Sequence, residues 1–398
     1  MKVLILATDI YTRGGIARYT STLASSLGKM LGRENVDVLC FFDWGHTGDV
    51  PTEFGVDGMV SSRGRAGVLS RLKFLVDAAT AGAKRYDLVI ANHVALAPVA
   101  ALMKLAFRTP YWVACHSVEI WWGTSRLRHA ALKNADLILP VSHYTADVVR
   151  KMDGIPSSRV KVVYNAIPDS FAKLLMPQAG SGDAVRGLKR SGPLLLSVST
   201  LVRGNEFKGI DTVIRALPKI LKVQPALQYA VVGEGEIRAS LESLAAETGV
   251  AENVTFLGEI PDDELAALYR ACDVFVLPSR GQEERGEVGG EGFGRVYVEA
   301  ALAGRPVVGS LSGGASEAVL PGKTGFLVNP ASQDEVAEAV LTILADLARA
   351  SAMGSAGRQW ALDTFSEQAL SGSLQELLRP YGIESTQLPS LAPAGGQQ

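Results

Sequence analysis

Short runs of consecutive apolar residues alternate along the chain with longer stretches in which apolar positions recur every three or four residues. The runs at 3–7, 36–42, 88–91, 111–115, 137–141 and 160–164 form one series. Those at 194–200, 229–233, 254–258, 274–277, 306–310 and 326–328 form a second. Each has the length of a strand and is apolar almost throughout, as in strands covered on both faces. The intervening stretches at 16–27, 210–221, 236–248 and 262–271 carry the helical period. This alternation predicts an α/β protein with parallel sheets and helices on both sides of each sheet. Ser332 and Glu335 form a capping box ahead of a helix expected to run to about residue 349.

The two series are separated between Pro168 and Pro193, where glycine, serine and charge replace periodicity, as in Gly180-Ser181-Gly182-Asp183. A faint echo supports two similar halves: Ala135-Asp136-Leu137-Ile138-Leu139-Pro140-Val141-Ser142 against Cys272-Asp273-Val274-Phe275-Val276-Leu277-Pro278-Ser279. The expected organisation is a domain over 1–170, a linker over 171–192 and a second domain over 193–365. A helix over 366–383 is expected to cross back to the first domain, ahead of a disordered tail over 384–398. Ligands bind beyond the carboxyl ends of strands in open parallel sheets, so two such domains place a ligand between them.

A length of 398 residues suits two domains with sizeable cores. The net charge of -2 gives no field that would draw nucleic acid, which is not expected as a partner. Three scattered cysteines read as free thiols in a reducing compartment. The first apolar run is too short for a signal-peptide core, and the longest, 94–103, is broken by Pro98 and cannot span a bilayer. The expected location is the cytoplasm, with peripheral attachment at the inner face of the plasma membrane left open.

The densest chemistry lies in Gly290-Glu291-Gly292-Phe293-Gly294, followed by an apolar helical pattern containing Glu299. Glycines allow close approach to a ligand, and the helix start offers free amides to an anion. Eight helical residues would separate the two glutamates by roughly 12 Å. That is too far to grip one atom, but it suits a long ligand with polar groups at both ends. Two solvated glutamates flanking an ordinary helix are the plain alternative.

With Gly14-Gly15-Ile16-Ala17-Arg18-Tyr19, His116-Ser117-Val118-Glu119, Lys208-Gly209, Val232-Gly233-Glu234-Gly235, Leu277-Pro278-Ser279-Arg280 and Gly313-Gly314-Ala315-Ser316-Glu317, this segment resembles the retaining GT-B glycosyltransferases of glycosyltransferase family 4. The order and spacing of the pieces, more than any one of them, carry the resemblance. It implies two Rossmann-like domains facing across a cleft, and transfer of a hexose from a nucleotide sugar, GDP-mannose or a UDP-hexose, with retention. The nucleotide sugar is a substrate, so no cofactor is expected.

By the same resemblance Lys208 holds the pyrophosphate, where a fixed cation stabilises charge growing on the leaving group. The family's second cation, an arginine, is replaced by Thr200, and Arg203 is the candidate substitute. Glu299 would accept from the ribose hydroxyls and Glu291 from the donor sugar, since an ionised carboxylate is acceptor-only and suits a diol. Gly292, Phe293 and Gly294 would offer amides to the donor, Gly14 and Gly15 a second amide nest across the cleft, and Gly233 and Gly235 a further wall. His116 would contact the donor sugar. Glu119, Trp121 and Trp122 are candidates for the acceptor site, with plain packing as the alternative for both tryptophans. No Asp-x-Asp pair or His/Cys cluster has metal-ligand spacing, so no metal is expected.

The acceptor is expected to be a lipid-linked or soluble sugar or polyol. Residues 63–85 carry six basic residues and one acidic, with Val68, Leu72, Leu75 and Ala79 on one helical stripe. Such a helix can touch an anionic membrane or simply pack on its sheet. Glu283, Glu284, Arg285 and Glu287 mark a charged loop that would close over substrate or stay solvated. Three rival functions remain open: a dinucleotide oxidoreductase, although Arg238 replaces the third glycine of its fingerprint; a same-fold epimerase or phosphorylase; and a non-catalytic partner protein.

Overall fold

A computed structural model describes residues 1–12, 14–42, 58–61, 68–121, 123–177, 192–281 and 290–382. The first sheet contains β1 (Val3–Ala7), β2 (Val36–Cys40), β3 (Gly58–Ser61), β4 (Leu88–Ala91), β5 (Tyr111–Cys115) and β6 (Leu137–Pro140). The second contains β7 (Leu194–Val198), β8 (Gln228–Val232), β9 (Val254–Gly258), β10 (Val274–Val276), β11 (Val307–Ser310) and β12 (Gly325–Val328). Their orders are β3-β2-β1-β4-β5-β6 and β12-β11-β10-β7-β8-β9, and every named pairing is parallel. Counted from the first strand of each sheet, the two orders are the same, with a reversal of direction at β1/β4 and at β7/β10. Such switch points open the crevices in which α/β sheets bind ligands.

Both faces of β1 are covered. Val3, Ile5 and Ala7 join one cluster, which extends through the second lobe, while Leu4 and Leu6 join the other. An aspartate precedes three of the strands. Asp87, Asp136 and Asp273 each accept through a carboxylate oxygen from the backbone N–H of Lys2, Tyr111 and Leu194, at 2.6, 2.9 and 2.7 Å. Each also donates its own N–H to the carbonyl of that same residue, at 2.9, 2.9 and 2.8 Å. This reciprocal pair fixes the register where adjacent strands begin. It also explains the echo around Asp136 and Asp273, which falls on the sixth strand of one sheet and the fourth of the other. The likeness therefore reflects strand-start chemistry and not equivalent positions.

Other differences have local causes. The run at 160–164 is not a strand. It donates from Lys161 and Val163 to Ile138 and Pro140, but Pro140 has no N–H to return a bond, and a single bridge at Val160 results. Strand β3 has only Met59 and Val60 to signal it. The helix begun by Ser332 stops at Ala345, because Asp346 turns extended and caps a new helix, Leu347–Phe365, through Arg349 N. Ser332 accepts from Glu335 N, while the Glu335 carboxylate reaches Asn329 N instead of closing the box.

After Phe365 the chain returns to the first lobe. Helix Glu367–Leu378 packs on helix Gly15–Leu31. The buried Glu367 accepts there from Ser25 Oγ and Lys29 Nζ, both at 2.7 Å. In helix Val68–Gly82 the stripe facing the protein is Phe74, Ala78 and Ala81. The stripe read from the sequence faces outward, with Val68 72% and Leu72 54% exposed. Positions 63–67, the charged loop, most of the linker and the tail lie outside the described residues.

Candidate active site

A cavity of about 620 Å³ lies between the lobes, and both Glu291 and Glu299 line it. Its second-lobe wall is the turn read from the sequence. Gly294 takes φ 83°, a left-handed conformation open to glycine, and starts helix Arg295–Leu302 from there. Gly292 is needed for a different reason. A Cβ on it would stand 2.5 Å from the His116 carbonyl oxygen and 2.7 Å from Ser117 Cβ, so the turn abuts the first lobe. The Gly314 N–H holds the turn from behind by donating to Glu291 O at 2.7 Å.

The Lys208 ammonium donates to Glu291 Oε2 at 2.5 Å, with both side chains largely buried. Ser279 Oγ makes a longer approach to the same oxygen, at 3.5 Å. Glu299 sits deeper, 4% exposed, and accepts from Tyr269 OH and Arg295 Nε, each at 2.9 Å. Burial and the adjacent carboxylate push the Tyr269 phenol well above its ordinary value, so it keeps its proton and donates. Both glutamates retain acceptor capacity for a ligand, since an ionised carboxylate has about four lone-pair sites.

The other candidates separate into lining and supporting residues. Gly14 and Gly15 line the cavity from the first lobe, at the start of helix Gly15–Leu31. Gly233, Gly292, Gly294 and Arg203 also line it, with Arg203 on an exposed stretch. Gly235 packs instead against the Leu201–Val202 backbone. The Phe293 ring is buried against Tyr164 and Phe365. His116 lies behind Ser117, its Nε2 2.8 Å from Asn92 O and its ring edge-on to Tyr19. Glu119 accepts from the backbone N–H groups of His116 and Ser117, at 2.5 and 3.0 Å, and so shapes that loop. Burial pushes its carboxyl up, but charge from His116 and His93 and backbone amide bonds, that of His116 among them, hold it below the usual range. Trp121 is buried and meets Tyr144 edge-on, while Trp122 lies outside the described residues.

Three residues given no role from the sequence make contacts at or across the cleft. Arg18 spans the cleft to Asp262, with Nη2 2.6 Å from Oδ1. Glu317 reaches from the second lobe to cap the start of helix His143–Arg150, accepting from His143 N and Tyr144 N, both at 2.8 Å. Arg295 stands one helical turn before Glu299 in the cavity wall. Its signal was available in the sequence: an arginine four residues before Glu299 on one helix face.

Two facing parallel-sheet lobes with a cavity between them are the GT-B architecture. A profile described as Glycosyl transferases group 1 matches residues 183–360, and one described as Glycosyltransferase Family 4 matches residues 13–171. A GDP-mannose-dependent alpha-(1-6)-phosphatidylinositol monomannoside mannosyltransferase of Mycolicibacterium smegmatis is 36% identical over 325 residues, covering 78% of this chain and 80% of that protein. Among solved structures, sucrose-phosphate synthase from Thermosynechococcus elongatus superposes with a TM-score of 0.80 at 24% identity, covering 97% of this chain and all of the other (100%). Anabaena HepE in complex with UDP and glucose gives 0.76 at 22%, covering 96% and 100%. The chain belongs to glycosyltransferase family 4 and is a glycosyltransferase.

Proposed function

We propose that the protein transfers mannose from GDP-mannose, with retention and without a metal, to a hydroxyl of an inositol-containing membrane glycolipid. The observation that carries this reading is the Lys208–Glu291 pair, set in the same cavity wall as Glu299. The donor and acceptor class come from the 36%-identical relative. In the reaction the bond from the anomeric carbon to the β-phosphate oxygen breaks, and the acceptor oxygen bonds to that carbon on the same face. The acceptor's proton passes to the departing phosphate, giving GDP. Lys208 stabilises the charge that develops on the phosphate, together with the free amides at the start of helix Arg295–Leu302. Glu291 holds the sugar hydroxyls and Glu299 the ribose.

The surface supports a lipid acceptor. Val68, Leu69, Leu72 and Val76 are 54–83% exposed on one helix, and Leu102 and Leu105 on the neighbouring helix Ala97–Phe107 are 55% and 82% exposed. Arg71, Arg85 and Arg108 are exposed beside them. Apolar side chains flanked by cations suit the interface of an anionic bilayer. Among the described residues no helix is long and apolar enough to cross a membrane.

The test is transfer from radiolabelled GDP-mannose or UDP-glucose to phosphatidylinositol mannoside, with the anomeric configuration of the product read by NMR. An α-linked mannosyl product supports the proposal. Turnover of UDP-glucose alone overturns the donor, and a β-linked product overturns retention.

A further inference from the structure

Arg295 is 8% exposed and lines the donor cavity, yet only one of its nitrogens is used. Nε donates to Glu299 Oε1, and neither Nη1 nor Nη2 has a hydrogen-bond partner. Burying a guanidinium with donors unspent is costly, and an arginine fork normally meets a planar or tetrahedral anion through two nitrogens. Burial lowers this guanidinium's pKa from its ordinary value, Glu299 opposes that, and Arg18 across the cleft adds to the lowering. Two guanidinium groups near each other at a cavity edge are better tolerated once an anion lies between them. The first helical turn, which bears Arg295, also presents the free amides of the helix start.

Among the described residues, the positions that the sequence offered for a second cation do not fill this place. Arg203, the sequence candidate for a second cation, lies on an exposed stretch of the rim. Thr200, where the family resemblance led us to expect an arginine, accepts instead from Asn205 Nδ2 at 2.6 Å.

We infer that Arg295 is a diphosphate-binding residue: its Nη pair takes a phosphate of the nucleoside diphosphate while its Nε keeps Glu299 turned toward the ribose. This rests on the donor-site reading above. It makes Arg295 the partner of Lys208, so that one helical turn supplies both a phosphate ligand and the aligned ribose acceptor.

The full-length protein, wild type and Arg295→Gln, is titrated with GDP and with guanosine, which lacks the phosphates. The glutamine can still donate to Glu299. Affinity for GDP is expected to fall about ten- to a hundredfold, while affinity for guanosine changes by about twofold or less. An equal loss on both ligands overturns the inference, because it would show that Arg295 acts only by orienting Glu299. Unchanged GDP affinity overturns it too and leaves the donor site standing. A wild-type protein that binds no nucleoside diphosphate overturns the donor-site reading, and this inference with it. Should the glutamine variant fail to fold, Arg295→Lys keeps the charge without the fork. GDP affinity intermediate between wild type and Lys208→Ala supports the inference, and wild-type affinity overturns it.

Discussion

Lys208 Nζ lies 2.5 Å from Glu291 Oε2, although the two residues are 83 positions apart in the chain. The lysine ends the short turn Glu206–Lys208 ahead of helix Ile210–Leu221, and the glutamate belongs to the glycine turn ahead of helix Arg295–Leu302. Two helix starts of the second lobe therefore converge, and each side chain keeps the other's charge in place until a donor arrives. In the function proposed above, bound donor would give the ammonium a phosphate and the carboxylate a diol. Lys208→Ala is expected to lower kcat roughly a hundredfold or more while the protein stays folded. Steady-state kinetics beside thermal unfolding check this, and wild-type kcat would remove Lys208 from the mechanism.

Gly292 gives a steric test of lobe closure. Its missing side chain leaves room for the His116 carbonyl, and a methyl group there meets backbone that cannot rotate away. Gly292→Ala should move the two walls apart by a fraction of an ångström. Misplacement of that order costs about tenfold to a hundredfold in kcat/KM. The added methyl lies at the contact between the glycine turn and the 116–117 segment and not within either sheet, so the unfolding temperature should change little. A large fall in that temperature with kinetics intact would contradict this account.

Much of the architecture could be read from the chain because strands covered on both faces leave unbroken apolar runs. Boundaries failed where backbone chemistry decided. Pro140 withheld the N–H that residues 160–164 needed, and Asp346 began a new helix in the middle of an apparently continuous one. Glu291, Glu299 and Lys208 were legible because glycines and helix starts mark them locally. The contact of Glu317 with the amides of His143 and Tyr144 was not, since it joins segments about 170 residues apart across two lobes. Nor could sequence period alone tell which stripe of helix Val68–Gly82 faces the sheet, because both stripes carry apolar residues.

Metal dependence offers a third prediction. In this reading the charge on the departing phosphate is met by Lys208, Arg295 and the amides of a helix start. Excess EDTA should then leave the rate within about twofold of the untreated enzyme, because fixed protein dipoles and cations do the stabilising. Loss of activity restored by magnesium would assign part of that work to a cation.

His93 is expected to carry a pH-dependent part of stability. Its Nδ1 accepts from Ala95 N at 3.0 Å, which caps the short turn Val94–Leu96. Burial lowers its pKa below the ordinary 6.5; Glu119 opposes that shift, and His116 and Arg128 add to it. The unfolded chain therefore binds this proton first, so the contribution is complete above about 6.5 and is lost as pH falls through the lower folded value. Glu119, with its carboxyl held below the usual range, acts in the same direction at more acidic pH. His93→Asn keeps a capping acceptor but cannot titrate. Unfolding temperatures measured from pH 7.5 downward should fall less steeply below 6.5 in the variant than in the wild type. Parallel curves would show that His93 contributes no such term.

If the acceptor is the membrane glycolipid proposed above, the outward stripe of helix Val68–Gly82 is the surface expected to meet the bilayer. Leu69 and Leu105 are 83% and 82% exposed on neighbouring helices, and neither belongs to the cavity between the lobes. Substituting glutamate at both positions removes apolar area that would enter the headgroup region and adds charge that an anionic surface repels. Because burying one leucine contributes about 1.5–3 kcal/mol, the double variant should bind phosphatidylinositol-containing vesicles at least about tenfold more weakly. GDP affinity should not change, since the donor wall is untouched. Cosedimentation and calorimetry on the same preparations separate the two effects. Equal vesicle binding by the double variant and the wild type would overturn the assignment of this face as a membrane contact.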